Sequence, residues 1–169
     1  MPSVPLDFRN KIYLDTSVIS FLYADDAPEK QEITIDFFDN FIKTGIYQAI
    51  ISEFVLQEIE NTGDEKLREK LKIAVIDYPV EIISVANEDE IQRMALAYIS
   101  DGVIPQKKLL DALHVAVCTI KSINFLVSWN YKHLANINRE RRILSVNLEN
   151  NYINPLRIIT PIELINYES

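Results

Sequence analysis

The chain has 169 residues, with a hydrophobic fraction of 48% and a charged fraction of 25%, values typical of a globular protein that buries a sizeable core. No apolar run is long enough for a signal peptide or a membrane span, so we predict a single cytoplasmic domain over residues 1–169. The net charge of −8 argues against broad, nonspecific binding to nucleic acid, whose phosphates repel an acidic surface.

Short apolar runs alternate with longer amphipathic runs along the chain, and this alternation predicts strands and helices in turn. Strands are predicted at residues 11–14, 47–51, 80–85, 124–128 and 156–160. Helices are predicted at residues 16–23, 28–43, 53–61, 64–73, 87–100 and 109–122, then in a polar and basic segment, and finally from Pro161. Ser52 is a predicted N-cap, and Asn87 with Glu90 forms a predicted capping box. The order predicts a mostly parallel sheet with helices on both faces.

Asp15 directly follows the first predicted strand, in KIYLDTSVIS. Ligands of parallel sheets collect beyond the carboxyl ends of the strands, which makes Asp15 a candidate site residue. An N-cap role for the following helix is an equally ordinary job for an aspartate, and both roles are compatible. Thr16 and Ser17 offer hydroxyl groups that could hold this carboxylate or a water molecule on a metal ion.

Asp111 lies in LLDALHVAVCTI, where His114 and Thr119 are the only other polar residues. A helix that is apolar all round is a buried helix, and an ionised carboxylate there is costly unless something compensates its charge. An ion pair with Lys107 or Lys108, a raised pKa, and a bound metal ion are three explanations that remain open. His114 is predicted to be a core residue of this helix rather than a ligand.

Glu58 borders the apolar side of the helix after the second strand, and taken alone it would be assigned to the surface. Together with Asp15 and Asp111 it forms a set of carboxylates that could converge at the rim of the sheet. Such crowding raises pKa values unless a divalent cation is bound. Oxygen ligands favour Mg²⁺ or Mn²⁺, whereas zinc prefers histidine and cysteine, of which the chain has two and one.

A basic segment follows the fourth strand. It contains Lys132, Arg139, Arg141 and Arg142 against a single acid, Glu140. The segment is a candidate phosphate-facing patch, and a solvated helix face would have the same composition.

Five stretches, KIYLDTSVIS, SEFVLQEI, LLDALHVAVC, FLVSWNYKHL and RIITPIEL, resemble PIN-domain ribonucleases, especially VapC-like toxins of type II toxin–antitoxin pairs. LDTSVIS combined with DALHVA carries most of the resemblance. It implies a five-stranded parallel sheet in a three-layer α/β/α sandwich, an acidic pocket that binds Mg²⁺ or Mn²⁺, and hydrolysis of phosphodiester bonds in RNA. By the same resemblance, Asp15, Glu58 and Asp111 are the metal-binding acids and Ser17 supports Asp15.

The chain departs from the family pattern at Asn130, in SWNYKHL, where many members carry an aspartate. An asparagine offers a carbonyl oxygen but no charge, so we expect one metal ion to bind well and a second only weakly. A PIN subgroup resembles this chain in having asparagine at that position, so Asn130 is retained as a candidate catalytic residue.

The resemblance leads to a mechanistic hypothesis in which a metal ion held by the three acids activates water and stabilises the departing oxygen. Asn130 and Ser17 would orient water or the ligating carboxylates, and Lys132, His133, Arg139 and Arg142 would position the RNA backbone. The resemblance also implies a homodimer, and a toxin would need an antitoxin protein.

The leading alternative is a catalytically silent PIN module that binds RNA or a protein partner. An aspartyl-nucleophile phosphotransferase is disfavoured because Ser17 stands where a second aspartate is needed. A Rossmann nucleotide-binding protein is disfavoured because no glycine follows the first strand.

Overall fold

A computed structural model describes residues 10–168, with side chains described through residue 166. Within this range the chain forms five strands: β1 Asn10–Leu14, β2 Tyr47–Ser52, β3 Val80–Ile83, β4 Phe125–Val127 and β5 Arg157–Ile159. Eight α-helices occur in the same range: α1 Thr16–Ser20, α2 Pro28–Phe37, α3 Glu53–Glu60, α4 Glu65–Asp77, α5 Asp89–Ser100, α6 Leu109–Ile120, α7 Ile137–Glu149 and α8 Pro161–Glu168. The predicted alternation of strands and helices is confirmed.

The strands form one five-stranded sheet in the order β3-β2-β1-β4-β5, and every neighbouring pair is parallel. In the central strand β1, Ile12, Tyr13 and Leu14 are each 0% exposed. Successive side chains of a strand point to opposite faces, so both faces of the sheet are covered, as in an α/β/α sandwich. The predicted fold class is confirmed, and the sheet is wholly rather than mostly parallel.

Several helix boundaries differ from the sequence-based expectation. The predicted helix at residues 16–23 is an α-helix only to Ser20 and continues as the 3₁₀ turn Phe21–Tyr23. The predicted helix at residues 28–43 is an α-helix only to Phe37, and the next segment, Phe38–Ile42, is a π-helical turn. The predicted surface helix at residues 64–73 continues to Asp77 as α4, with Asp64 as its N-cap.

The predicted capping box of Asn87 and Glu90 is wrong. Helix α5 begins at Asp89, and its N-cap position is taken by Glu88 without a side-chain capping bond. The cause is tertiary: the Glu53 carboxylate binds the backbone N–H groups of Val85 and Ala86, and the N–H of Glu88 donates to the carbonyl of Val85. These bonds hold Asn87 in a turn ahead of the helix.

Parallel pairing brings the carboxyl ends of β1, β2 and β4 to the same edge of the sheet, and the chain enters α1 and α3 directly from two of them. Ser52 is the N-cap of α3, as predicted, and its hydroxyl accepts a hydrogen bond from the N–H of Phe54 at 3.2 Å. In the range 10–168, no helix has the length and apolar character needed to cross a membrane.

Candidate active site

Asp15 is the first residue after β1 and is also the N-cap of α1, with only 4% of its surface exposed. Its N–H donates to the carbonyl of Val127 at 3.2 Å, which joins it to β4. Its Oδ1 atom accepts hydrogen bonds from the Val18 N–H at 3.4 Å and from the Ser17 hydroxyl at 2.5 Å. The capping role and the position at the rim of the sheet therefore occur together.

Burial raises the pKa of Asp15 above its ordinary value of 3.8. The charge of His114 and the hydroxyl groups of Ser128 and Ser17 act in the opposite direction, and the carboxylate of Asp111 raises the pKa further. The ionised form of Asp15 is therefore held at a cost in the folded chain, and a nearby cation would remove part of that cost.

Glu58 lies in the last turn of α3, and 27% of its side chain is exposed. Its Oε1 atom accepts a hydrogen bond from the Thr16 hydroxyl at 2.9 Å and lies 2.6 Å from Nε2 of His114. Burial acts to raise the pKa of Glu58, but the hydrogen bond and charge of His114, with the Thr16 hydroxyl, outweigh it and lower the pKa below 4.5. The other oxygen, Oε2, accepts no hydrogen bond from the described residues.

Asp111 lies in the first turn of α6 and is half-buried. Neither Lys107 nor Lys108 forms an ion pair with it, and no hydrogen bond to its carboxylate occurs among the described residues. Burial raises its pKa, His114 and Lys108 lower it, and the charge of Glu58 raises it. Of the explanations left open by the sequence, the structure therefore contains the raised pKa and not the ion pair.

His114 is buried, as predicted, with 1% of its surface exposed, but its contacts are not those of an ordinary core residue. Besides the Nε2 contact with Glu58, its Nδ1 atom lies 2.7 Å from the Tyr13 hydroxyl, which lies 2.7 Å from the hydroxyl of Ser52. Both ring nitrogens are engaged, so this histidine offers no free nitrogen to a metal ion. The sequence analysis did not predict the contact between His114 and Glu58. It could have placed His114 near the acids, because His114 lies three residues after Asp111 and therefore on the same face of α6.

The predicted supporting hydroxyls divide between two acids, because Ser17 binds Asp15 whereas Thr16 binds Glu58. Ser17 also accepts a hydrogen bond from the N–H of Trp129 at 3.0 Å, which ties the segment after β4 to the first acid. This segment also contains Ser128, which is fully buried and lowers the pKa of Asp15. Ser128 is a site residue that the sequence analysis did not identify.

Asn130 follows at the same edge of the sheet and is half-buried. Its N–H donates to the Ser128 hydroxyl at 3.0 Å, and its side-chain Oδ1 accepts from the N–H of His133 at 3.0 Å. The Asn130 carbonyl oxygen, predicted to be available to a metal ion or water, thus already accepts a hydrogen bond within the turn to His133. An amide oxygen can accept one further hydrogen bond.

The donor chemistry of this region fits a hard divalent cation. Asp15, Glu58 and Asp111 supply oxygen atoms, and the Asp111 carboxylate with Oε2 of Glu58 is free of hydrogen bonds from the described residues. In residues 10–168, however, no three histidine, cysteine, aspartate or glutamate side chains lie close enough to enclose an ion as they stand. The three acids influence one another electrostatically without forming a finished coordination cage.

A cleft of about 320 Å³ opens beside two of these acids, and its lining combines negative and positive side chains. Glu58 and Asp111 line it together with Lys107, Lys108 and two leucines. The lysines come from the 3₁₀ turn Gln106–Lys108 that precedes α6. They were considered from the sequence only as ion-pair partners of Asp111.

Basic residues from several segments of the chain interact electrostatically around His133. Burial lowers the pKa of His133, and the charges of Lys108, Lys132 and Arg139 lower it further, whereas Asp111 raises it. The Nδ1 atom of His133 is buried and has no hydrogen-bond partner among the described residues. We refer to Lys107, Lys108, Lys132, His133 and Arg139 as the basic rim.

Arg142, predicted to contact RNA together with Lys132, His133 and Arg139, is exposed and donates a hydrogen bond to the carbonyl oxygen of Gly102 at 3.2 Å. The bond directs this arginine towards the turn after α5.

Comparison with known families and structures agrees with this architecture. The family model described as PIN domain matches residues 12–140 of the chain. The crystal structure of VapBC2 from Rickettsia felis bound to a DNA fragment from their promoter is similar with a TM-score of 0.54 and 16% sequence identity, over 89% of this chain and 98% of that chain. At this identity the similarity concerns the fold. No curated protein matches the chain in sequence.

Proposed function

Because the chain belongs to the PIN domain family, whose members are generally nucleases, we propose that it is a metal-dependent ribonuclease that hydrolyses phosphodiester bonds in RNA. The main support for the proposal is the environment of the Asp111 carboxylate. Its carboxylate is half-buried, has a raised pKa, makes no ion pair with the described residues, and lines a cleft with Glu58. A buried carboxylate without a partner is expensive, so its presence at the rim of the sheet favours a ligand role.

Asp15, Glu58 and Asp111 are the residues proposed to hold Mg²⁺ or Mn²⁺. When bound, such an ion supplies a Lewis acid that polarises a phosphate oxygen and lowers the pKa of a water molecule. The chain itself supplies orientation: Ser17 holds Oδ1 of Asp15, while Thr16 and His114 hold Oε1 of Glu58. Asn130 is proposed to orient water near Asp15 through the part of its amide that is not bound to His133.

The basic rim is proposed to hold the RNA backbone over the acidic residues. Lys107 and Lys108 line the cleft from the turn before α6. His133 interacts with Asp111 from the segment after β4, and the charges of Lys132 and Arg139 act in turn on His133. Positive groups near Glu58 and Asp111 would attract a backbone that the net charge of −8 would otherwise repel. Arg142 remains a candidate for the outer part of this surface.

The resemblance to VapC-like proteins supports a more specific proposal, that the ribonuclease is a cytoplasmic toxin held in check by an antitoxin protein. The similar Rickettsia felis structure is described as VapBC2 bound to promoter DNA. By the same reasoning we propose a homodimer.

A silent PIN module is the second candidate function, and a specific observation favours it. In the described part of the chain no three ligating side chains are close enough to enclose an ion, and Asn130 stands where many family members carry an acid. Such a module would bind RNA or protein without metal-dependent chemistry.

The test is an RNA cleavage assay with purified protein in Mn²⁺, with and without a chelator. We expect cleavage that stops on chelation and is absent from Asp111→Asn while the far-ultraviolet circular dichroism spectrum is unchanged. Asp101→Asn is the matched control, because Asp101 is an exposed acid just after α5, and it should cleave at the wild-type rate. Wild-type turnover by Asp111→Asn would remove this residue from the mechanism, and the absence of cleavage in any metal would favour the silent module.

A further inference from the structure

A chain of four buried or half-buried polar groups runs from the sheet to the helical glutamate of the site. The Ser52 hydroxyl lies 2.7 Å from the Tyr13 hydroxyl, the Tyr13 hydroxyl lies 2.7 Å from Nδ1 of His114, and Nε2 of His114 lies 2.6 Å from Oε1 of Glu58. These residues come from β2, β1, α6 and α3. The network therefore connects the centre of the core to an acid of the candidate site.

We propose that His114, held in place by Tyr13, is a positioning residue that fixes the Glu58 carboxylate for metal binding. The inference rests on the proposed function. It assigns to a core histidine a role that its burial and its apolar helix would not suggest.

The burial of the network is the first argument. Tyr13 is 0% exposed, Ser52 is 0% exposed and His114 is 1% exposed, so none of these groups can exchange its partner for bulk water. A buried polar group without a partner is costly, which penalises any rotation of the imidazole away from Tyr13 or Glu58. The Tyr13 and His114 rings also pack with centroids 5.5 Å apart. The orientation of the imidazole is thus determined by two hydrogen bonds and by packing.

The direction of the hydrogen bonds is the second argument. A carboxylate oxygen accepts hydrogen bonds and does not donate them, so Nε2 of His114 is the donor in its contact with Oε1 of Glu58. Burial raises the pKa of Tyr13 well above 10.0, so its phenol keeps its proton and can donate to Nδ1. Ser52 can donate to the Tyr13 oxygen while accepting from the N–H of Phe54. Each contact of the network thus joins one group that can donate to one that can accept.

The use of one glutamate oxygen is the third argument. Thr16 and His114 both bind Oε1, and Oε2 accepts no hydrogen bond from the described residues. An anchored Oε1 limits the rotation of the carboxylate and leaves Oε2 available at the cleft. Hydrogen-bond partners of this kind orient ligating groups, and their loss typically lowers metal affinity by about 10–100-fold.

The test measures Mn²⁺ affinity by calorimetry and the histidine tautomer by ¹⁵N NMR, neither of which depends on activity. His114→Leu removes both hydrogen bonds at similar volume and is expected to weaken Mn²⁺ binding at least about tenfold. His114→Gln keeps an amide that can donate to Glu58 and is expected to restore most of the affinity. Tyr13→Phe leaves the histidine in place and is expected to shift the Nδ1 resonance and to weaken binding severalfold.

Thr119→Val is the matched control. Thr119 is a buried polar residue of the same helix, and its hydroxyl bonds Tyr98 at 2.9 Å and Asn147 at 3.1 Å, in a network that contains none of the three acids. This variant should lose stability without losing Mn²⁺ affinity. If His114 had only a structural role, His114→Leu and Thr119→Val would behave alike. In both variants, any loss of Mn²⁺ affinity would then be proportional to the loss of stability.

The outcomes separate the two proposals. Wild-type Mn²⁺ affinity in folded His114→Leu, or in Tyr13→Phe if the leucine variant does not fold, overturns the positioning role alone. A wild-type protein that binds no Mn²⁺ overturns the proposed function and the positioning role with it.

Discussion

Asp15 at the end of β1 and Asp111 on α6 are close enough for the second carboxylate to act on the first. Burial raises the pKa of Asp15, and the negative charge of Asp111 raises it further. Burial also raises the pKa of Asp111, and the charge of Glu58 adds to that effect. Negative groups from separate segments thus destabilise one another in the folded chain.

Replacing Asp111 by asparagine should stabilise the metal-free protein at neutral pH. A carboxyl group whose pKa is raised by folding makes the folded state less favourable above that pKa, and its removal should increase the free energy of unfolding by about 1 kcal/mol. The gain should shrink as the pH falls through the raised pKa of Asp111 and vanish below 3.8, where the carboxyl group is neutral in both the folded and the unfolded states. Thermal unfolding in chelator across this pH range measures the difference.

The control for this variant is Asp89→Asn, because Asp89 is an exposed acid in the first turn of α5, just as Asp111 is in the first turn of α6. Its loss should be slightly destabilising, by a few tenths of a kcal/mol, since an acid at a helix start is favourable. Equal destabilisation by both substitutions would show that Asp111 bears no electrostatic strain.

Glu58 should have the opposite dependence on pH. Its pKa is lowered in the folded chain despite burial, because His114 and Thr16 bind the ionised form. Its contribution to stability is therefore fully present above 4.5 and is lost as the pH falls through the lowered pKa. Glu58→Gln should reduce the free energy of unfolding by about 1 kcal/mol at neutral pH, and this deficit should close in acid.

Urea unfolding of wild type and Glu58→Gln at a series of pH values measures this deficit. Glu32→Gln, an exposed substitution on α2, serves as the comparison and should show no such trend. A deficit in the free energy of unfolding that stays constant down to low pH would mean that the ionised form of Glu58 does not contribute to stability.

Asn130→Asp should tighten Mn²⁺ binding, by roughly tenfold, because it adds a negative charge at the rim while keeping an oxygen that can accept from the His133 N–H. The gain would be largest for a second ion, which we expect to bind weakly to the wild type. Calorimetric titration of both proteins measures it, and weaker binding by the aspartate variant would contradict the argument from charge.

The two lysines of the cleft should determine much of the salt dependence of RNA binding. Each phosphate contact on a single strand contributes about −0.7 to the slope of log affinity against log salt, so removing both Lys107 and Lys108 should reduce the slope by about 1.4. Fluorescence anisotropy with a single-stranded RNA in chelator measures the slope. Arg141→Ala removes one exposed charge that lines no part of the cleft, and an equal change in slope per charge removed would show that the cleft lysines contact the RNA no more than other surface charges do.

The order of strands and helices could be predicted from the sequence because the hydrophobic periodicity changes at each boundary. Asp15 and Asp111 could be singled out for the same reason, since one directly follows an apolar strand and the other interrupts an apolar helix. Such patterns show that a side chain lies at a strand end or in the core.

Sequence patterns do not show which side chains from other segments contact that residue in the folded chain. The bond of His114 to Glu58 joins two helices distant in the chain, and the fully buried Ser128 acts on Asp15 from the segment that follows the neighbouring strand β4. The error at Asn87 has the same origin, because Glu53 holds the preceding turn and shifts the helix start to Asp89. Local capping preference was overridden by a tertiary contact.

Titration of Mn²⁺ into metal-free protein, followed by calorimetry, tests the central role of the acids most directly. We predict saturable binding by the wild type and its loss in Asp111→Asn, with Asp101→Asn unchanged. Failure of the wild type to bind, or equal binding by Asp111→Asn, would contradict a site built from Asp15, Glu58 and Asp111.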